Sequence, residues 1–153
     1  MTFFSLMVWP VEAVIRSSLM NAVIESGDKS PTEEICGALL GHRSRDTWEI
    51  TKFIPLTNVS QNKIAHYIPD PNEWIKVLNK TTFLNKNAEL DLIGVFHTHP
   101  NSAPIASHTD INEAGYEGIY WIYSPAFKTH GYYYWDGDED KRQFRQIKHT
   151  IKE

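Results

Sequence analysis

The sequence has little of what stabilises secreted proteins or anchors membrane proteins. It contains one cysteine, Cys36, so no intrachain disulfide can form, and this usage favours a reducing, cytoplasmic setting. No apolar run approaches the roughly 20 residues that a membrane-spanning helix requires. The apolar N-terminal stretch MTFFSLMVWP lacks a basic region and a small-residue cleavage site, which argues against a signal peptide. We therefore expect a soluble protein of the cytoplasm.

The chain also lacks an excess of positive charge. Lysine and arginine number 15 against 19 aspartates and glutamates, for a net charge of −4. Because proteins that bind nucleic acid usually present a basic face, that class is disfavoured. No repeat, linker or low-complexity tract divides the 153 residues, of which 41% are apolar. This length and composition predict one packed domain over 1–153.

Apolar runs bounded by glycine, proline and polar residues predict several strands. The tail over 141–153 fits either a strand or a short helix. Together with two predicted helices, this mix indicates an α/β (α+β) fold, with a mixed central sheet flanked by helices. The predicted strands cover 34–41, 47–55, 90–100, 118–124 and 130–136.

Two helices are predicted from apolar residues at three- and four-residue spacing. The first covers 10–27 and is expected to stop at Gly27. The second covers 70–86, with Asp70 as its N-cap and Glu73 at the capping-box position. Its inner face is predicted to consist of Trp74, Val77, Leu78, Thr81 and Leu84.

The segment HTHPNSAPIASHTD, from His97 to Asp110, raises the question of a metal site. His97 and His99 lie two residues apart at the end of a predicted strand, so their rings project from one face. Ser107 and Asp110 have the S-x-x-D spacing of a capping box, which predicts the start of a short helix. Two imidazoles and one carboxylate leave a fourth position open, a pattern typical of catalytic zinc sites.

Each part of this pattern also has a purely structural explanation. Paired histidines at a strand end are often solvent-exposed, and a capping box alone accounts for the serine and the aspartate. The combination favours a metal site over a plain loop. A zinc hydrolase also needs a proton carrier that is not a ligand. Glu34, at the start of the apolar segment EICGALLG, is our candidate, although a carboxylate at a strand end is commonly only solvated.

The segments EICG, HTHP and SHTD together resemble the JAMM motif of the MPN+ metalloproteases. They occupy 34–37, 97–100 and 107–110. The resemblance also includes CGALLG, YIPDPNEWIKVL and LDLIGVFHTHP, and it covers most of the chain, weakening after about residue 125. These segments resemble those of compact prokaryotic JAB-domain proteins. The resemblance implies the JAB/MPN fold, which is related to the cytidine-deaminase architecture.

The resemblance also implies a role for each motif residue. His97, His99 and Asp110 would bind zinc, while Glu34 would take a proton from the water that zinc activates and later protonate the leaving amine. Ser107 would donate a hydrogen bond to the developing oxyanion. The implied enzyme is a zinc metallopeptidase of the isopeptidase type. Its implied substrate is the C-terminal tail of a ubiquitin-like or sulfur-carrier protein.

Three alternatives and three further expectations accompany this hypothesis. A non-catalytic MPN scaffold would typically lack motif residues, whereas all five are present here. A phage-tail or cell-wall JAB peptidase stays open, because the motif does not specify which amide bond is cut. A nucleotide deaminase would need cysteine ligands that one cysteine cannot supply. We expect Cys36 to pack in the core, His108 to be exposed, and a substrate tail to lie near 42–47 or 57–65.

Overall fold

The computed structural model describes residues 9, 10 and 12–153. Most of the N-terminal stretch MTFFSLMVWP, which we predict not to be a signal peptide, lies outside the described residues. The centre of the fold is an eight-stranded sheet with the order β7-β6-β5-β4-β2-β3-β1-β8. The strands are β1 (Glu12–Arg16), β2 (Cys36–Arg43), β3 (Thr47–Leu56), β4 (Asp91–Thr98), β5 (Gly118–Ser124), β6 (Thr129–Trp135), β7 (Arg145–Gln146) and β8 (Lys148–Lys152). The helices are α1 (Ser17–Asp28), α2 (Pro71–Leu78) and α3 (His108–Glu113).

The sheet is mixed, which confirms the predicted fold class. Strand β1 runs parallel to β3 and β8, and β4 runs parallel to β5, while the remaining neighbours are antiparallel. The tail forms the two strands at the sheet edges rather than a helix. In the part of the chain that the structure describes, no helix is long and apolar enough to cross a membrane.

The prediction of one helix over 10–27 is wrong in its first half. This half forms β1, which buries Ala13 and Ile15 in strand alternation, and only the second half forms α1. A short apolar run fits either periodicity, so the pairing partners decide between them. Gly27 lies inside α1 rather than after it. A Cβ there would come within 2.6 Å of the Tyr123 ring, so close packing requires the glycine.

Helix α2 begins as predicted but ends eight residues before the predicted 86. The Asp70 carboxylate caps it by accepting from two backbone N–H groups of the first turn. Glu73 does not complete a capping box; its carboxylate accepts instead from the Thr57 backbone N–H and hydroxyl at 2.7 and 2.8 Å. Of the predicted inner face, Leu84 is exposed, whereas the others, Trp74, Val77, Leu78 and Thr81, are buried.

The sheet separates two apolar clusters, and the motif residues lie on the α2 side. The cluster on the α1 side includes Ile15, Val23 and Phe96. The cluster on the α2 side includes Cys36, Val95 and Trp74. Because β2 and β4 are antiparallel, the first residue of β2, Cys36, pairs with His97 near the end of β4. This register brings the EICG and HTHP segments together.

Candidate metal centre and active site

Three side chains meet at the carboxyl end of β4. His97 is on the strand, His99 lies just beyond it, and Asp110 is in the first turn of α3. One ligand atom from each lies within 4.8 Å of the others. Asp110 faces both rings, with Oδ2 at 3.0 Å from Nε2 of His99 and Oδ1 at 3.2 Å from Nε2 of His97. The fold therefore brings the predicted ligand set together.

His97 is fully buried, and its ring has no ordinary polar partner. It stacks on Tyr67 with centroids 4.3 Å apart. Its approach to Asp110 lacks hydrogen-bond geometry, so among the described residues neither ring nitrogen has a hydrogen-bond partner. Buried polar atoms without partners are uncommon and destabilising. A cation bound between His97 and Asp110 would supply the missing partner, so the residues fit a metal ion.

The ring of His99 is held in place by a hydrogen bond from Nδ1, the nitrogen that does not face Asp110. Nδ1 donates to the Ala103 carbonyl at 2.9 Å, and since a carbonyl can only accept, Nδ1 carries the proton. Nε2 lies 3.0 Å from Oδ2 of Asp110 and donates to it when the ring is protonated, whereas in the neutral Nδ1–H tautomer its lone pair would be available to a metal ion. Metal-binding histidines are commonly fixed in this way by a backbone carbonyl behind the ring.

Asp110 is oriented by the capping box of α3, which confirms the predicted helix start. The Ser107 hydroxyl oxygen accepts from the Asp110 backbone N–H at 3.1 Å. In return, Oδ2 of Asp110 accepts from the Ser107 N–H at 2.9 Å. Ser107 is exposed and opens toward solvent, and His108 is exposed as expected. The cap thus holds the carboxylate against the histidines.

The pKa values of these three side chains are shifted from their ordinary values, in different directions. Burial lowers the pKa of His97, although Asp110 opposes this shift. Burial also acts against charging His99, but hydrogen bonds to Asp110 and to the Ala103 carbonyl outweigh it and raise the pKa of His99. Burial would raise the pKa of Asp110, yet its contacts with both imidazoles hold that pKa well below the usual range. Asp110 is therefore an anion at neutral pH.

Glu34 lies just before β2, not inside the strand as predicted, and next to the histidines. Its neighbour Ile35 donates its N–H to the Thr98 hydroxyl at 3.0 Å and accepts from the Thr98 N–H at 3.1 Å. The Glu34 side chain is 7% exposed, and within the described part of the chain its Oε1 has no hydrogen-bond partner. Burial raises the pKa of Glu34 to about 7. A carboxyl group with this pKa can gain or lose a proton near neutral pH.

Sequence reasoning missed Asn58, which holds the backbone around Glu34. Its Nδ2 donates to the carbonyls of Glu34 and His66 at 2.9 and 3.0 Å. Its Oδ1 accepts from the N–H groups of Ser60 and Ile68, both at 3.0 Å. The amide therefore uses its full hydrogen-bonding capacity. A single asparagine in a predicted loop carries no pattern that would have singled it out.

The two stretches expected beside a substrate tail differ in position. The loop over 57–65 adjoins the site, because the Glu34 N–H donates to the Lys63 carbonyl at 2.7 Å. The turn over 42–47 lies at the opposite end of β2, so that part of the expectation is wrong. Cys36 is buried and packs in the core as expected, and burial raises the pKa of its thiol to about 12.

A cavity of about 290 Å³ lies beside Asp110. Its walls are largely apolar and aromatic. Its polar lining residues are Thr109, Asp110, His66 and Glu113, with His66 Nε2 at 2.8 Å from Glu113 Oε1. A pocket of this kind next to a candidate site can receive part of a ligand. The apolar lining includes Ile68, Pro69, Trp74, Val95, Tyr116 and Tyr120.

Comparison with known proteins confirms the resemblance seen in the motif. The family described as prokaryotic homologs of the JAB domain matches residues 16–146. A solution structure of a protein from Desulfitobacterium hafniense superposes with a TM-score of 0.75. It covers 92% of this chain and 93% of its own, at 23% identity, and so shows the shared fold.

Several named relatives are similar in sequence. A desampylase from Haloferax volcanii is 30% identical over 90% of this chain and 91% of its own. A CysO-cysteine peptidase from Mycobacterium bovis is 29% identical over 66% of this chain and 64% of its own. A probable TtuB-protein conjugate cleaving protease from Thermus thermophilus is 31% identical over 49% of this chain and 48% of its own. These relatives are peptidases or isopeptidase-type hydrolases, and the chain belongs with them to the family of prokaryotic JAB-domain proteins.

Proposed function

We propose that this chain is a zinc metallopeptidase that hydrolyses an amide bond at the C-terminal tail of a ubiquitin-like or sulfur-carrier protein. The observation that carries the proposal is the set of unpaired groups at the end of β4. Both ring nitrogens of buried His97 and the Oε1 of Glu34 lack hydrogen-bond partners among the described residues, next to an anionic Asp110. Two histidines and one carboxylate are ligands typical of catalytic zinc.

Each residue has a role that its contacts support. His97, His99 and Asp110 would hold the metal, which when bound would act as a Lewis acid and lower the pKa of a nearby water. Glu34 would take a proton from this water through its free Oε1 as the water oxygen adds to the carbonyl carbon, and would pass that proton to the amine nitrogen as the C–N bond breaks. A group whose pKa is about 7 can do both near neutral pH.

Ser107 can donate to the carbonyl oxygen of the substrate while it still caps α3. Its hydroxyl oxygen accepts from the Asp110 N–H, which leaves the hydroxyl hydrogen free. The side chain is also exposed at the site. A donor directed at an oxygen that gains negative charge stabilises the transition state more than the ground state.

The substrate class is inferred from the relatives, a desampylase, a probable TtuB-protein conjugate cleaving protease and a CysO-cysteine peptidase, which act on conjugates of ubiquitin-like or sulfur-carrier proteins. The loop over 57–65 and the cavity beside Asp110 offer a path for an extended tail next to the site. We also propose that the protein acts in the cytoplasm, where the Cys36 thiol stays reduced.

The decisive experiment pairs metal analysis with a cleavage assay. Wild-type protein should bind about one zinc per chain and release the partner from a ubiquitin-like or sulfur-carrier conjugate. The variant His99→Ala should lose metal and activity together. Wild-type protein with no measurable zinc affinity would favour a non-catalytic scaffold. Zinc-dependent cleavage of cell-wall peptides alone would favour the phage-tail or cell-wall alternative.

A further inference from the structure

Helix α3 carries the proposed ligand Asp110, yet it is too short to be stable alone. It has six residues, about one and a half turns, and helices of this length depend on their surroundings. Ser107 caps its amino end. At its carboxyl end the chain leaves through Ala114 in an extended conformation (φ −57°, ψ 128°) and not through a left-handed glycine. The last carbonyls of α3 therefore need donors from elsewhere.

Arg142 supplies these donors from the segment that follows β6. Its Nη1 donates to the carbonyl of Ile111 at 3.0 Å and to the carbonyl of Ala114 at 2.9 Å. Ile111 is the residue directly after Asp110, so the bond acts on the same turn of helix. Arg142 lies 31 and 28 residues beyond its two partners in the chain. It is thus a cap supplied by tertiary structure.

The guanidinium is itself held in place. Its central carbon lies 4.7 Å from the centre of the ring of Trp135, which is buried. Its Nη2 also pairs with the carboxylate of Glu139. The Arg142 side chain is only 22% exposed. A fixed planar donor group of this kind is better suited than a flexible ammonium to bridge two carbonyls.

We propose that Arg142 is a positioning residue for the metal centre, which holds the α3 turn that carries Asp110 against the two histidines. The inference rests on the proposed metal site and extends it beyond the motif. Ser107 fixes the start of α3, and Arg142 fixes the end. Without Arg142, Asp110 would spend part of its time away from Nε2 of His97 and His99, and the metal would bind more weakly.

The test compares three variants by zinc competition against a chromophoric chelator. Arg142→Met keeps the apolar stem and removes the donors; we expect its zinc affinity to fall about 10- to 100-fold, as when other groups behind a metal ligand are lost. Arg142→Lys should fall between this variant and wild type. The matched control Glu139→Gln removes the exposed ion pair but leaves both carbonyl bonds, so its affinity should stay within about twofold of wild type.

A second measurement separates positioning from general stability. The visible spectrum of the Co²⁺-substituted protein should change in Arg142→Met and remain as in wild type in Glu139→Gln. Wild-type zinc affinity and an unchanged Co²⁺ spectrum in folded Arg142→Met would overturn the inference. If Arg142→Met does not fold, wild-type zinc affinity and a wild-type Co²⁺ spectrum in Arg142→Lys would overturn the inference instead. A wild-type protein that binds no zinc would instead overturn the proposed function.

Discussion

At the solvent-exposed end of the β2–β4 pair, where Arg43 ends β2 and Asp91 begins β4, these two charged side chains have ion-pair or hydrogen-bond partners. Arg43 pairs with Glu117 at 2.6 Å and donates to the Leu92 carbonyl from two nitrogens at 3.1 and 2.7 Å. Asp91 accepts from the Arg43 N–H at 2.9 Å and from the Thr82 hydroxyl at 2.7 Å. Arg43 and Glu117 are 30% and 33% exposed, so water could have satisfied them in part. The protein nevertheless pairs them with each other.

At the other end of the same two strands, buried groups are left without partners. Glu34 is 7% exposed and His97 is fully buried, and no described residue makes a hydrogen bond to Oε1 of the first or to the ring nitrogens of the second. Each unpaired buried group destabilises a fold by roughly 1–3 kcal/mol. The difference supports the proposal that the buried end of the pair binds a cation and carries a proton, while the exposed end contributes to stability.

The variant Glu34→Gln tests the end that holds the unpaired groups, and it has the largest expected effect. Glutamine keeps the shape of the side chain but cannot carry the proton, so kcat should fall by about 10²- to 10⁴-fold. Zinc content should stay at the wild-type level, because Glu34 is not among the proposed ligands. Single-turnover cleavage together with metal analysis measures both quantities. Wild-type kcat in this variant would remove Glu34 from the proposed chemistry.

The variant Ser107→Gly tests whether this serine does more than cap α3. Glycine is itself an acceptable N-cap, and replacing serine by it costs only a few tenths of a kcal/mol, so α3 should persist. Loss of the hydroxyl donor should still lower kcat about 100-fold. The measurement combines kcat with thermal unfolding. A stable Ser107→Gly variant with wild-type kcat would show that Ser107 serves the helix alone.

The site could be predicted from the sequence because its pieces are local patterns. His97 and His99 lie two residues apart at the end of one strand, and the Ser107–Asp110 spacing specifies a helix start without knowledge of the rest of the chain. The position of Glu34 relative to them depends on the antiparallel register of β2 and β4. The family resemblance, and not the periodicity, supplied that link.

Residues that act over long sequence separations could not be predicted. Asn58 and Arg142 lie in polar stretches and belong to no motif, and the carbonyls to which they donate lie 8 to 31 residues away. The first half of the predicted N-terminal helix failed for a related reason. Ala13 and Ile15 fit a helix or a strand equally well until β3 and β8 provide edges for β1 to pair with. Tertiary pairing therefore decides where local propensity is ambiguous.

The unpaired carboxyl group also predicts how the stability of the metal-free protein varies with pH. The Glu34 pKa is about 7 in the fold against an ordinary value of 4.5. Between these values the unfolded chain has lost the proton and the folded chain retains it, so this group makes the fold less stable as pH rises. The total loss is roughly 3 kcal/mol at most.

Comparison with Glu34→Gln isolates this contribution from those of His99 and Asp110, which are common to both proteins. In urea unfolding with a chelator present, the unfolding free energy of the variant relative to wild type should rise from pH 5 to about pH 7 and level off toward pH 8. At pH 5 the two should differ little in this respect, because the wild-type carboxyl group is then largely protonated in the fold. A difference in unfolding free energy that is constant across this range would contradict the assignment of a buried, unpaired carboxyl group.

The variant Arg43→Met tests the paired end and has the smallest expected effect. It removes the ion pair with Glu117 and the hydrogen bonds to the Leu92 carbonyl, but keeps an apolar stem over the Trp48 ring, which the guanidinium carbon approaches to 4.2 Å. Because these groups are about one-third exposed, the unfolding free energy should fall by only about 1 kcal/mol. Zinc affinity and kcat should match wild type, since the site is at the opposite end of both strands. If Arg43→Met instead lowered kcat without unfolding the protein, the two ends of the β2–β4 pair would be coupled. The division of these strands into an end that stabilises the fold and an end that carries the proposed site would then be wrong.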